Sequence, residues 1–137
     1  MSKYRKMQTQ FTSRALMREA LQAAGVPFEE CQPGTENPLV GYEGDLRPEK
    51  ATFIVRRAYV GSSSNDMGWH WNPVTRCFEE IVSDYDSKYG QAMSICQSVK
   101  REYAVAATMS QARAKGYRVE RQNQTNGTVQ LVVTGRI

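Results

Sequence analysis

The sequence predicts an α+β domain: a single antiparallel β-sheet covered on one face by two helices, in the order β-α-(β)-βββ-α-ββ. Three observations carry this. Between Ala51 and Asp84, three β-rich runs are separated by nothing longer than a turn. A helical periodicity lies on each side of that meander. The carboxyl end alternates about an Asn126-Gly127 step, a hairpin signature. With 137 residues and 40% hydrophobic positions, the chain suits one domain, residues 1–137, able to bury roughly two-thirds of its unfolded surface.

Tyr4 to Phe11 alternates with Met7, Thr9 and Phe11 inward, which predicts a strand. Thr12 or Ser13 offers a capping hydroxyl for the next segment. In RALMREALQAAG, Leu16, Met17, Ala20, Leu21 and Ala24 make one stripe, and Gly25 with Pro27 supplies the stop. From Val26 to Lys50, Pro, Gly, Glu and Asn predict mostly loop, with room for a short strand near Leu39 to Tyr42. ATFIVRRAYV is the first meander strand, with Phe53, Val55 and Tyr59 on one face. GSSSND turns into MGWHWN, and Asn72-Pro73 turns into CFEEIVSD.

Ser87 to Lys115 has no proline and places Ala92, Cys96, Val99, Tyr103, Ala106 or Ala107, and Met109 near helical spacing. Asp84 and Asp86 before it and Arg113 and Lys115 at its end suit the helix dipole, and Gly116 stops it. Such a helix reaches ~40 Å, about twice a typical strand, so it overhangs the sheet or bends. In the final hairpin, a three-residue loop at Thr125 to Gly127 pairs Val119 with Val133 and Arg121 with Leu131. That register aligns Tyr117 and Val119 with Val129, Leu131 and Val133. It buries more carbon than a two-residue turn, so Gly127 is expected in the left-handed position of a G1 bulge.

Composition excludes several classes. No apolar run approaches the ~20 residues that span a bilayer, so no membrane insertion is expected. MSKYRKMQTQF has basic residues without an apolar run behind them, unlike a secretory signal, and a cytoplasmic or stromal location is expected. Cys31, Cys77 and Cys96 are widely spaced and odd in number, which predicts reduced, partly buried thiols. The net charge of +4 is dispersed, with no block of five like charges.

Several short motifs in order resemble one family: the opening MSKYRKMQTQF, Gly41-Tyr42-Glu43-Gly44 before Ala51 to Val55, Gly68-Trp69-His70-Trp71-Asn72, and Phe78 to Asp84. Tyr103-Ala104, Gly116-Tyr117-Arg118-Val119, and Leu131-Val132-Val133 ahead of Arg136 continue the series. The chain is similar in these to the uncharacterised plastid and cyanobacterial proteins called hypothetical chloroplast reading frame 35, or domain of unknown function 1257. The resemblance covers nearly the whole length. It implies an association with photosynthetic lineages and no catalytic residues.

MGWHWN holds both tryptophans and the only histidine. Side chains alternate along a strand, so Trp69 and Trp71 share a face and enter the core, while His70 points to the opposite face. That face is expected to be open and to carry Thr52, Ile54, Arg56, His70 and Asn72. Ile54, Val60 and Val132 would form a contact patch there if they cluster. The candidate partner-binding residues are therefore His70, Arg56, Asn72 and Ile54. A protein partner is expected. RNA or single-stranded nucleic acid is the alternative, with strand aromatics stacking bases and Arg56, Arg57 or Arg118 neutralising phosphate. No catalytic or metal residue is assigned and no cofactor is expected. His70 has no second histidine or nearby cysteine for zinc, and Cys77 with His70 lacks an evident third member for nucleophilic catalysis.

Overall fold

A computed structural model describes residues 2–136 of the chain. The elements run β1 (Tyr4–Gln8), α1 (Arg14–Ala24), β2 (Glu29–Glu30), β3 (Asn37–Val40), β4 (Leu46–Ala51) and β5 (Phe53–Val55). A 3-10 turn at Arg57–Tyr59 follows, then β6 (Met67–Asn72), β7 (Cys77–Ser83), α2 (Ala92–Ala114), β8 (Tyr117–Asn123) and β9 (Val129–Arg136). Five strands form one sheet in the order β1-β7-β6-β5-β2. The predicted meander is its centre, antiparallel throughout, with Phe53 opposite Trp69 and Trp71 opposite Phe78. The class is α+β with two helices, as expected. The hairpins β3–β4 and β8–β9 are separate two-stranded sheets and do not extend the main one.

The helix-covered face is the larger core. Phe53, Val55, Met67, Trp69, Phe78 and Val82 meet Met17, Ala20 and Leu21 of α1 and Ala92, Cys96, Val99 and Tyr103 of α2. Local chemistry sets α1: the Ser13 hydroxyl accepts from the Leu16 amide at 3.2 Å, and Gly25 ends the helix at φ 74°. The Tyr103 hydroxyl accepts from the Thr12 and Ser13 amides at 3.0 and 3.1 Å, tying α2 to the start of α1. Two inward assignments fail. Met7 stands on edge strand β1, outside the helices' cover, and is 60% exposed. Tyr59 falls beyond β5 in the 3-10 turn and is exposed, while Val60 enters the core in its place.

The opposite face is not open. The β3–β4 hairpin, in the segment read as mostly loop, lies across it and encloses a second small core of Tyr4, Leu39, Ala51, Ile54 and Ile81. Gly41-Tyr42-Glu43-Gly44 is the hairpin's turn, closed by the Gly41 amide donating to the Asp45 carbonyl at 2.8 Å. Gly68 makes the close approach possible. A Cβ there would stand 2.7 Å from both Ala51 Cβ and the Phe53 carbonyl, and 3.3 Å from Leu39 Cδ2. Since a backbone oxygen cannot swing aside, Gly68→Ala is expected to cost about 1–3 kcal/mol by overpacking, read as a lower denaturant midpoint at unchanged slope.

Asn65 and Asp66 fasten this layer. Asp66 Oδ2 accepts from the Val40 amide at 2.8 Å and from Arg56 Nη1 at 2.7 Å, and Oδ1 accepts from the Arg57 amide at 2.8 Å. The Tyr4 hydroxyl donates to the Asp66 carbonyl at 2.7 Å, and burial pushes that phenol's pKa upward. Asn65 Oδ1 accepts from the Tyr42 amide at 2.9 Å, and the Asn65 amide donates to Asp86 Oδ2 at 2.9 Å. GSSSND is thus a turn, as expected, whose last two residues also clamp the hairpin.

Helix α2 begins at Ala92, later than its periodicity suggests. The Asp86 carboxylate is taken up by Asn65 and Ser83 inside the protein, and Gly90 at φ 78° turns the chain before the helix starts. Its 23 residues reach ~35 Å. No residue after Tyr103 in α2 is buried, and β8–β9 folds back along this half. Arg121 donates from both terminal nitrogens to the buried Glu102, at 2.8 Å from Nη2 to Oε2, and holds that carboxyl below the usual range. The hairpin has the expected register, Val119 opposite Val133 and Arg121 opposite Leu131, with Gly127 at φ 85°. Cys31, Cys77 and Cys96 are free thiols, the first and last buried.

Candidate functional site

The strand alternation of β6 holds: Trp69 is fully buried, and Trp71 is half-buried with its ring edge-on to Phe78 at 5.0 Å. His70 faces the hairpin side, but it is not freely solvated. The turn after β2, with Gly34 at φ 80°, carries Glu36 back over the strand. The carboxylate oxygens of Glu36 lie 2.7 and 2.9 Å from His70 Nδ1. Because a carboxylate only accepts, Nδ1 carries the hydrogen in this contact. Glu36 Oε2 also accepts from the Thr52 hydroxyl at 3.0 Å and from the Trp71 amide at 3.3 Å. The imidazole orientation is therefore fixed from one side. Nε2 lies 3.9 Å from Glu79 Oε1, beyond hydrogen-bond reach, and makes no hydrogen bond among the described residues.

His70 and Glu36 line a cleft of about 630 Å³, with Trp71, Pro73 and Phe78 as its apolar side and Thr12, Thr35 and Thr52 among its polar groups. Arg14 also lines it but is engaged, donating to Glu30 Oε2 at 2.7 Å and to the Cys31 carbonyl. Hydrogen bonds from Arg18 and then Arg14 hold the Glu30 carboxyl down at about 2, against burial, which raises it. The cleft thus presents aromatic surface, hydroxyls and one oriented ring nitrogen, beside carboxylates that already have partners.

The four sequence candidates are not brought together. Ile54 is fully buried beneath the β3–β4 hairpin and is not a surface residue. Arg56 is bound by Glu29 at 2.7 and 2.8 Å and by Asp66. Asn72 caps the turn after β6, its Oδ1 accepting from the Val74 and Thr75 amides at 2.9 and 3.3 Å. His70 alone lines the cleft. The expected apolar patch does not form: Val60 belongs to the helix-side core, and Val132 lies in the separate C-terminal hairpin. Sequence reasoning placed Thr52 on this face but missed Glu36, because an isolated acid after a turn carries no periodic signal.

Fold and cleft define a small α+β domain in which no group of His, Cys, Asp and Glu among the described residues could hold a metal ion. No helix among them is long and apolar enough to cross a membrane. The chain belongs to the DUF1257 family of proteins of unknown function, whose model matches residues 20–132. No curated protein and no solved structure is significantly similar to it.

Proposed function

We propose that the chain is a non-catalytic protein-binding module that receives an extended partner segment in the His70 cleft. The observation that carries this reading is the His70 ring, fixed through Nδ1 by Glu36, with an Nε2 that no described residue hydrogen-bonds in a cleft lined by Trp71 and Pro73. Such a site suits a segment that lays an apolar side chain on Trp71 and presents a backbone amide or side-chain donor to Nε2. Binding is favoured over catalysis because no described hydroxyl or thiol bonds His70 Nε2, and the Cys77 thiol is directed to the Thr75 carbonyl at 3.5 Å. The nucleic-acid alternative has less to use, since of the three arginines expected to neutralise phosphate Arg56 is engaged with Glu29 and Asp66 and Arg57 lies over the Tyr42 ring at 5.9 Å, which leaves Arg118.

The test is His70→Asn, whose amide nitrogen can reproduce the Nδ1 donor while nothing replaces Nε2. Stability should stay within ~0.5 kcal/mol of the parent. Affinity purification from the native host, read by mass spectrometry, should recover a protein with the parent chain and lose it with His70→Asn. Recovery of the same partner with the folded variant removes His70 from the interface. RNA recovered instead, released as salt rises, favours nucleic acid.

A further inference from the structure

The protein has several strands at sheet edges, and all but one carry devices that discourage pairing with another chain. β1 has Arg5 and Lys6, and β2 is two residues, both glutamate. β3 contains Pro38, and β4 contains Pro48 between Arg47 and Glu49. β8 bears Arg118, Glu120 and Arg121. β9 runs from Val129 to Gly135 without a charge or a proline, and among the described residues it pairs only with β8.

Its free edge has a defined phase. The Gln124 amide donates to the Thr128 carbonyl at 2.9 Å, so the even-numbered residues of β9 turn their backbone groups toward β8. The N–H and C=O groups of Val129, Leu131 and Val133 therefore point outward. On the helix side, Val119 is buried, whereas Val133 directly opposite is 51% exposed, so α2 covers the β8 half of this ribbon and leaves the β9 half.

We propose that β9 pairs antiparallel with β9 of a second copy of this chain. A twofold pair sets a strand against itself, so charges on it are apt to meet like charges; an uncharged stretch from Val129 to Gly135 removes that penalty. With the axis at Leu131, Leu131 meets its own copy and Val129 meets Val133. These outward-pointing residues form hydrogen-bonded pairs, and the exposed Val133 gains an apolar neighbour. The product is a four-stranded sheet, β8-β9-β9-β8, with both α2 helices on one face.

Sedimentation equilibrium of the purified full chain across a micromolar concentration series tests this. A species of twice the chain's mass is expected. Val133→Pro removes an outward N–H that β8 does not use, and it should give a monomer with unchanged far-ultraviolet circular dichroism. If that variant misfolds, Val133→Lys, at an exposed position, must weaken dimerisation at least tenfold with the fold intact. A parent chain that stays monomeric throughout, or a folded variant that dimerises as the parent does, overturns the proposal. So does a parent chain whose β9 is protected from hydrogen exchange only by a different protein's strand.

Discussion

Asp66→Ala is expected to cost about 3–5 kcal/mol, because it leaves two backbone donors without their acceptor and takes from the half-buried Arg56 one of its two carboxylates. Asp66 is 1% exposed and serves the Val40 amide, the Arg57 amide and Arg56 at once. Its loss frees the β3–β4 hairpin from the loop that precedes β6. Arg56 keeps Glu29, so part of its charge stays compensated. Asp66→Asn retains one acceptor oxygen in the same shape and should cost less than the alanine change. Urea unfolding gives the magnitude, and hydrogen exchange of β3–β4 gives the location. A loss below ~1 kcal/mol with unchanged exchange would show that the hairpin is held by its apolar contacts alone.

For Trp69→Ala the expected cost is also about 3–5 kcal/mol, the range for removing a large buried aromatic. Trp69 is fully buried, and its indole N–H donates to Glu80 Oε1 at 3.2 Å. Truncation opens the centre of the larger core and removes the donor from a half-buried carboxylate. Trp71→Ala should cost less, since Trp71 lines the cleft and is only half-buried. Fluorescence separates the two. The Trp71→Ala protein, emitting from Trp69, should be blue-shifted and poorly quenched by iodide. Trp69→Ala, if folded, should emit further to the red and quench more readily. Equal quenching of both would mean that the core does not exclude solvent at Trp69.

Much of the candidate site was legible because strand alternation is local. MGWHWN, taken as a strand, dictates that Trp69 and His70 part company, whatever lies above or below. Which surroundings His70 meets was not legible, since Glu36 reaches it across 34 positions of sequence. The expected open face failed for a related reason. Strand β4 reads LRPEKA, and the residues it turns inward are Arg47, Glu49 and Ala51, while Leu46 is 73% exposed. Its apolar and polar positions run opposite to the usual rule, so no periodicity betrays a covering strand. Arg47 belongs inside because its guanidinium stacks 4.8 Å above the Tyr4 ring. That partner comes from the other end of the sheet in sequence.

By itself, then, the sequence determined the α+β class, the capped helix Arg14–Ala24, the antiparallel meander, the inward Trp69 and the register of the last hairpin; Trp71, expected in the core beside it, is half-buried at the cleft. Each of the determined features follows from chemistry within a few residues: a hydroxyl before a helix, a glycine able to take positive φ, alternation along a strand. Tertiary structure alone decided that β3–β4 roofs the second face, that α2 starts after Gly90, and that His70 is oriented by Glu36. Those outcomes depend on buried polar groups, Asp66, Asp86 and Arg47 among them, finding partners far away in the chain. A polar side chain's sequence neighbours do not say whether it will be satisfied by water or by the fold, and only the assembled structure makes that choice.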